Sequence, residues 1–331
     1  MKIIVDAHGG DNAPLEIIKG CQLAVAELNA QIILVGKSEE LKKIMSENNV
    51  SDAGIEIYDA PDVITMEDEP TAVIKTKKES SMAVAFKLLK EGVGDAFVSA
   101  GNSGAVLVGA TMIVKRIKGV KRAALATVIP SQSGPLMLAD IGANVVCKPE
   151  YLKQFAIMGI EYMHYIHKIE NPTVALLNNG SEEHKGQELH QEAYKLLKES
   201  DINFIGNVEG REISTGGSDV IVTDGFAGNI ALKTYEGLGK MMANEIKVMF
   251  KKSILTKIGA LFVLKELNAF KKKFDYKEYG GAPLLGISKP VIKAHGSSDA
   301  KAIKNAIRQA ITFHDSNMIE VIKTKLENEA E

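Results

Sequence analysis

The chain has 331 residues, 45% hydrophobic and 25% charged, the balance of a soluble globular protein with a large core rather than of a disordered one. Its 40 Lys and Arg against 42 Asp and Glu leave a formal net charge of −2, there is no Trp, and aromatic residues make up 5%. Neither a global pull toward a phosphate backbone nor a stacking platform follows, which argues against a nucleic-acid partner.

In chain order, apolar β-branched runs alternate with amphipathic helical stretches. The opening strand, Lys2–Asp6, meets a charge and then Gly9-Gly10 too early for a secretory signal, so a cytoplasmic protein is expected. A helix over Leu15–Leu28, a strand over Gln31–Gly36, a helix over 39–48, a strand over Ile55–Asp59 and a helix over 82–91 follow. Residues 96–114 are long enough on paper to span a bilayer, but Ser99, Gly101, Asn102, Ser103, Gly104 and Gly109 make them a strand, a tight turn and a buried helix. Strands over 123–129, 136–141, 173–177, 203–206 and 220–223 enclose helices over 150–166 and 187–198. From Ala227 the pattern is largely helical, broken by a loop and strand over 280–286, with a final helix from about Ser298. Cys21 and Cys147 stand far apart without metal-ligand spacing, and read as core residues of a reducing compartment.

Continuous apolar strands with helical crossovers imply an α/β fold: a mostly parallel sheet sandwiched by helices, with a helical C-terminal subdomain. No repeat or Pro/Gly/Ser linker divides the chain, so residues 1–331 read as one domain.

Ligands of open α/β sheets bind beyond the carboxyl ends of the strands, so the chemistry is sought in six turns: 7–12, 100–104, 141–144, 178–181, 224–229 and 294–298. Each combines glycine with Asn, Ser or Asp. Glycine admits close backbone approach and a following helix presents free N–H groups, which suits an anion such as phosphate. The same residues also serve any strand-to-helix turn, so one turn alone decides nothing. The run 101–104 matches neither the dinucleotide fingerprint nor the nucleophile elbow, and 180–186 has Lys185 in the wrong frame for a phosphate-binding P-loop. Asp6, Asp140 and Asp224 end strands and either orient turns or hold a cation; no paired-His or clustered-Cys motif accompanies them. His8, His184 and His295 sit in or beside these turns. Lys185 stands near an expected helix start, where the dipole disfavours a cation unless an anion neutralises it.

Seven segments in order resemble the phosphate acyltransferase (PlsX) family: VDAHGGDNAP (5–14), VSAGNSGA (98–105), DIGAN (140–144), NNGSEEHKG (178–186), FIGNVEG (204–210), TDGFAGN (223–229) and KAHGSS (293–298). The one departure is His8, where the family usually has Met. The resemblance implies a homodimer with a fold like the isocitrate/isopropylmalate dehydrogenase group, no nicotinamide or other cofactor, and no metal. It implies acyl phosphate formation from fatty acyl-(acyl carrier protein) and inorganic phosphate, with phosphate as the nucleophile. Acyl carrier protein and inorganic phosphate are then partners, and the product passes to a membrane glycerol-3-phosphate acyltransferase for phospholipid synthesis. By the same resemblance Lys185 binds phosphate or the oxyanion, Asn229 bonds the reacting carbonyl and His184 gives acid/base help. Asn102, Ser103, Gly104 and Asn144, with Gly9, Gly10 and His295, form the phosphate and substrate cradle.

Residues 251–274 form a basic segment, with seven lysines and one Glu between Lys251 and Lys273. Ile254, Ile258, Leu261 and Leu264 recur at helical spacing with Leu255 and Phe262 alongside, a pattern that fits an anionic membrane surface, a dimer contact or acidic acyl carrier protein. The family resemblance favours the membrane, placing the chain peripherally on the inner face of the cell membrane. Two other classes remain open on the residues alone: a metal-dependent hydroxy-acid dehydrogenase of similar fold, and a non-catalytic anion or lipid-surface sensor.

Overall fold

The computed structural model describes residues 1–273 and 280–328; residue 274, the last of the basic segment, lies outside them. Eleven described strands form one sheet: β1 (Lys2–Asp6), β2 (Gln31–Gly36), β3 (Ile55–Asp59), β4 (Ala96–Ser99), β5 (Ala124–Pro130), β6 (Pro135–Ala139), β7 (Val174–Leu177), β8 (Phe204–Val208), β9 (Val220–Val222), β10 (Ala282–Leu285) and β11 (Val291–Lys293). The helices are α1 (Leu15–Leu28), α2 (Ser38–Glu47), α3 (Ser81–Glu91), α4 (Ser103–Gly109), α5 (Pro149–His167), α6 (Glu188–Lys198), α7 (Glu212–Thr215), α8 (Gly225–Lys251), α9 (Ile254–Phe262), α10 (Leu264–Lys273), α11 (Ala300–Asp315) and α12 (Met318–Asn328). The α/β class and the mostly parallel sheet expected from the sequence are borne out. The three-residue strand β11 and the short helix α7 were not expected.

The strands are apolar on both faces because both faces are covered. On one side, Ile3, Val5, Ile32 and Leu34 pack with Ile17, Ile18 and Cys21 of α1 and Ile303 and Ile307 of α11; Met137, Ala139, Val220 and Val222 continue this layer under α5. The opposite side is divided. Ile4, Ile33 and Phe97 lie with Met82 and Phe86 of α3 and Ala105 of α4, whereas Leu136, Leu138 and Ile221 lie with Leu232 of α8. Leu125 of β5 touches both clusters, and marks the gap between them.

The strand order is β3-β2-β1-β4-β11-β10-β5-β6-β9-β7-β8. The first five run parallel; β10 is antiparallel to β11 and to β5, and β5 to β6, after which β9, β7 and β8 follow the direction of β6. These reversals turn the second parallel set opposite to the first. The carboxyl ends of the two halves therefore leave the sheet by opposite edges, and the six turns do not share one edge.

Helix α8 bridges that separation. It starts at the end of β9, and 27 residues give it a length of about 40 Å. Its Lys233 and Lys240 lie within electrostatic range of His295, in the turn after β11 at the other edge. After α10 the chain returns to the sheet as β10 and β11, between its two halves.

Candidate active site

At the first edge three turns pack on one another. Asp11 N donates to Gly296 O at 2.8 Å, and Asn12 Nδ2 reaches Ser297 O and Ser298 O at 3.3 and 3.2 Å. A β-carbon on Gly9 would meet Gly101 N at 2.6 Å and one on Gly10 would meet Gly296 O at 2.8 Å, so here the close approach that glycine allows is between turns of the protein. Beneath them the buried Asp6 accepts from Ser81 Oγ at 2.6 Å, Ser99 Oγ at 2.8 Å and His8 N at 3.3 Å. The His8 ring is bonded to the residue before α2: its Nε2 accepts the Lys37 N–H at 3.1 Å.

Asn102 caps α4. Its Oδ1 accepts Ala105 N at 3.1 Å and its Nδ2 faces the carbonyls of Thr65, Met66 and Asp68 at 3.1 to 3.4 Å. The amide is thus occupied within the protein, and Asn102 shapes the turn that places Ser103 and Gly104.

At the second edge Asp140, fully buried, accepts Leu125 N, Gly142 N and Ala143 N on Oδ1 at 3.0 to 3.1 Å, and Asn144 N and Nδ2 on Oδ2 at 2.7 and 2.8 Å. Burial raises its pKa, against the lowering effect of these hydrogen bonds. Asn144 also donates to Ala123 O at 2.7 Å, so its side chain too is occupied in forming the turn. Asp224 caps α8 by accepting Phe226 N and Ala227 N, both at 2.9 Å. All three strand-end aspartates therefore orient turns.

Asn229, one residue beyond Gly228 in the first turn of α8, is exposed, and its amide carbon lies 4.0 Å from where a β-carbon on Gly142 would stand. Its side chain has no hydrogen-bond partner among the described residues and is free to meet a ligand. Cys147 lies nearby with Sγ 3.5 Å from Asn144 O, and burial, then the charges of Asp140 and Asp224, push its thiol up to about 12. It is a thiol at neutral pH, not a thiolate nucleophile.

Between the two helix clusters the gap opens as a small cavity of about 50 Å³. Ser103 and Gly104 line one wall, Gly142 and Ala143 the other, Val106, Leu107, Leu125 and Leu284 the floor, and Lys293 enters from β11. Lys293 is 8% exposed. Its Nζ reaches Ala294 O at 2.5 Å and Ala100 O at 3.3 Å, and burial pulls its pKa down to about 8, Asp11 and Asp6 opposing and Lys233 assisting. His295, also held below its ordinary pKa by burial and then Lys233, hydrogen-bonds Ser297 Oγ at 2.9 Å through Nδ1. Lys293 escaped the sequence reading. The available signal was a lysine inside the apolar run 291–294, just before a glycine turn.

Lys185 and His184 lie in the loop after β7, beside β9 at the second edge. Lys185 Nζ stands 3.9 Å from Glu182 of the same loop, a carboxylate that partly answers the charge the sequence left unexplained. The loop is pinned by Asn178 Nδ2 to Lys185 O at 3.1 Å and Asn207 Nδ2 to Glu182 O at 2.8 Å, which leaves the His184 ring exposed. The structure thus joins Asn229 to the Gly142 turn and Ser103, Gly104 and Lys293 to one cavity, while Gly9, Gly10 and His295 lie at the opposite edge from Lys185.

The chain is a divided α/β sandwich with a lysine-bearing cavity between its halves. The fold is shared with a phosphotransacetylase from Streptococcus pyogenes (TM-score 0.65, 18% identity, 97% of this chain and 94% of that one). A 4-hydroxythreonine-4-phosphate dehydrogenase from Klebsiella pneumoniae shares it as well (TM-score 0.56, 13% identity, 95% and 99%). A family model described as fatty acid synthesis protein matches residues 1–321. Phosphate acyltransferases from Clostridium acetobutylicum and Clostridium novyi are 47% and 48% identical over 328 residues, 99% of this chain and 99% of each relative. This chain belongs to the phosphate acyltransferase family.

Proposed function

We propose that the chain makes acyl phosphate from fatty acyl-(acyl carrier protein) and inorganic phosphate. The carrying observation is a cleft with a buried lysine and no activated nucleophile. Cys147 is held protonated, and the Ser103 hydroxyl has no basic partner among the described residues. The nucleophile is then phosphate itself. A phosphate oxygen attacks the thioester carbonyl, the C–O bond forms, the C–S bond breaks, and the thiolate leaves and takes up a proton, in which His184 assists. Asn229 donates to the developing oxyanion and Lys185 neutralises it or the phosphate, the two on neighbouring strand ends. Ser103 and Gly104 border the phosphate, Asn102 and Asn144 set the turns around it, and Gly9, Gly10 and His295 close the far edge.

The product, a mixed anhydride, is an acyl donor for a membrane glycerol-3-phosphate acyltransferase. Among the described residues no helix is long and apolar enough to cross a membrane. Helix α9 buries none of its side chains and exposes Ile254, Leu255, Ile258, Leu261 and Phe262, with Leu264 following. We assign this basic segment to peripheral contact with the inner face of the cell membrane. Ile230, Leu238, Met241, Met242, Val248 and Met249 of α8 are each about half exposed, an apolar stripe suited to a second copy in a homodimer.

The test is acyl phosphate formation from palmitoyl-(acyl carrier protein) and phosphate with EDTA present and no added cofactor. Turnover that depends on phosphate supports the reading; a folded protein without turnover overturns it. Lys185→Ala should lower turnover on the order of a hundredfold while melting like the wild type, because its ion pair with Glu182 is exposed.

A further inference from the structure

We propose that Lys293 binds the attacking phosphate, holding it in the cavity between the start of α4 and the Gly142–Ala143 turn; this rests on the reading above that phosphate is the nucleophile. Three observations carry it. The side chain lies at the end of β11, the strand of the first parallel set nearest the gap, and it lines the cavity together with Ser103, Gly104, Gly142 and Ala143. Its ammonium is buried and forms no ion pair with a carboxylate among the described residues; its two hydrogen bonds, to Ala100 O and Ala294 O, leave one N–H for a ligand. A buried ammonium held by carbonyls alone is costly, and an anion in the cavity offsets that cost.

Charged groups face it from several elements. Asp6 and Asp11 face Lys293 from β1 and its turn, Lys233 from α8, and His295 from its own turn. Asp6 is engaged elsewhere, accepting from Ser81 and Ser99, and Asp11, whose backbone N–H is bonded to Gly296 O, is exposed to solvent. Lys233, ion-paired with Glu236 at 2.9 Å, and His295 stand with Lys293 on the first-edge side of the cleft. The oxyanion group, Asn229, comes from the other side, so the nucleophile and the carbonyl approach from opposite walls.

Burial lowers the pKa of the ammonium, so in the free protein Lys293 is cationic below about 8 and neutral above it, and a bound phosphate raises that value. Inorganic phosphate is mainly the dianion at pH 7.5 and becomes more completely so toward pH 9, a change that does not weaken its hold on a cation, so a loss of affinity above pH 8 reports the lysine.

The experiment measures the phosphate KM for acyl phosphate formation, and in parallel calorimetric binding of inorganic phosphate without acyl substrate, for the wild type, Lys293→Met and Lys293→Gln, each checked for folding by circular dichroism. Loss of the lysine should raise the phosphate KM about tenfold to a hundredfold, the effect of one charge-assisted hydrogen bond, and abolish the calorimetric signal. The wild type should bind phosphate about tenfold more weakly at pH 9 than at pH 7.5, with proton uptake. A phosphate KM within twofold of wild type in both variants, or wild-type affinity unchanged at pH 9, overturns the assignment. If the wild type makes no acyl phosphate, the reaction is wrong, and calorimetry alone decides Lys293: binding lost in both variants supports it, binding retained overturns it. If neither variant folds, the wild-type pH dependence decides.

Discussion

Gly228 lies so close to Asp140 that a β-carbon on it would overlap the Asp140 carbonyl oxygen. This contact seats the first turn of α8 on the end of β6, and Gly225 N to Asn144 O at 2.8 Å locks it. Asn229, the next residue, owes its position over Gly142 to this seating.

Gly228→Ala should therefore disturb the site through packing alone. Backbone cannot yield as a flexible side chain would, so a loss of roughly 2–4 kcal/mol is expected, read as a lower urea midpoint. Acyl phosphate turnover should fall even where the variant is fully folded, because Asn229 shifts with the turn. A variant with the wild-type midpoint and rate would show that α8 is not seated here.

The local elements were readable because their signals are local. The strands over Lys2–Asp6, Gln31–Gly36 and Ile55–Asp59 and the helix over Leu15–Leu28 stand at the residues that periodicity and flanking glycines indicate. The reversal of the two halves was not readable, since it depends on residues 284–285 pairing with 124–125, contacts remote in the chain. The glycine turns show a second limit. Sequence signals that the backbone comes close to something at Gly9 and Gly10, but not that the neighbours are Gly101 and Gly296 rather than a ligand. Asn102 and Asn144 carried a similar ambiguity: the amides that suit a phosphate also suit a turn, and here they bind carbonyls and a carboxylate.

His8 makes stability depend on pH. Burial holds its imidazole below the ordinary value of 6.5, against the raising effects of Glu40 and Asp6, and the neutral ring accepts the Lys37 N–H. Below 6.5 the unfolded chain takes up a proton that the folded one resists, so this stabilisation is complete above that pH and is lost as pH falls through the folded value. His8→Met should cost about 1 kcal/mol at pH 7.5 and make the loss toward pH 5 shallower, measured as urea midpoints. Some slope persists, because burial lowers His167, His190 and His295 as well. An identical slope in the variant would show that His8 takes up no proton on unfolding.

Charge on the apolar face of α9 should separate membrane contact from catalysis. Leu255 and Phe262 are 81% and 84% exposed, so Leu255→Asp with Phe262→Ser removes no core packing and should leave the melting temperature near wild type. Sedimentation with anionic vesicles should drop about tenfold or more, while acyl phosphate formation in free solution is unchanged. Undiminished vesicle binding would assign the basic segment to another partner.

Lys293 should exchange stability for function. Its folded pKa of about 8 lies below the ordinary 10.5, so between these values the unfolded chain holds a proton that the folded one has released. Stability of the phosphate-free protein therefore rises with pH across that window on account of this group. At pH 7 the folded protein carries the buried charge at a cost of roughly 3 kcal/mol, which Lys293→Met removes along with hydrogen bonds to Ala100 and Ala294 worth about 1 kcal/mol each. The variant should be more stable than wild type by roughly 1–2 kcal/mol at pH 7 in phosphate-free buffer, with the rise above pH 8 gone. Saturating phosphate should then stabilise the wild type and not the variant, narrowing the gap. A variant less stable than wild type in phosphate-free buffer would make Lys293 a clamp between β4 and β11 rather than a charge kept for a ligand.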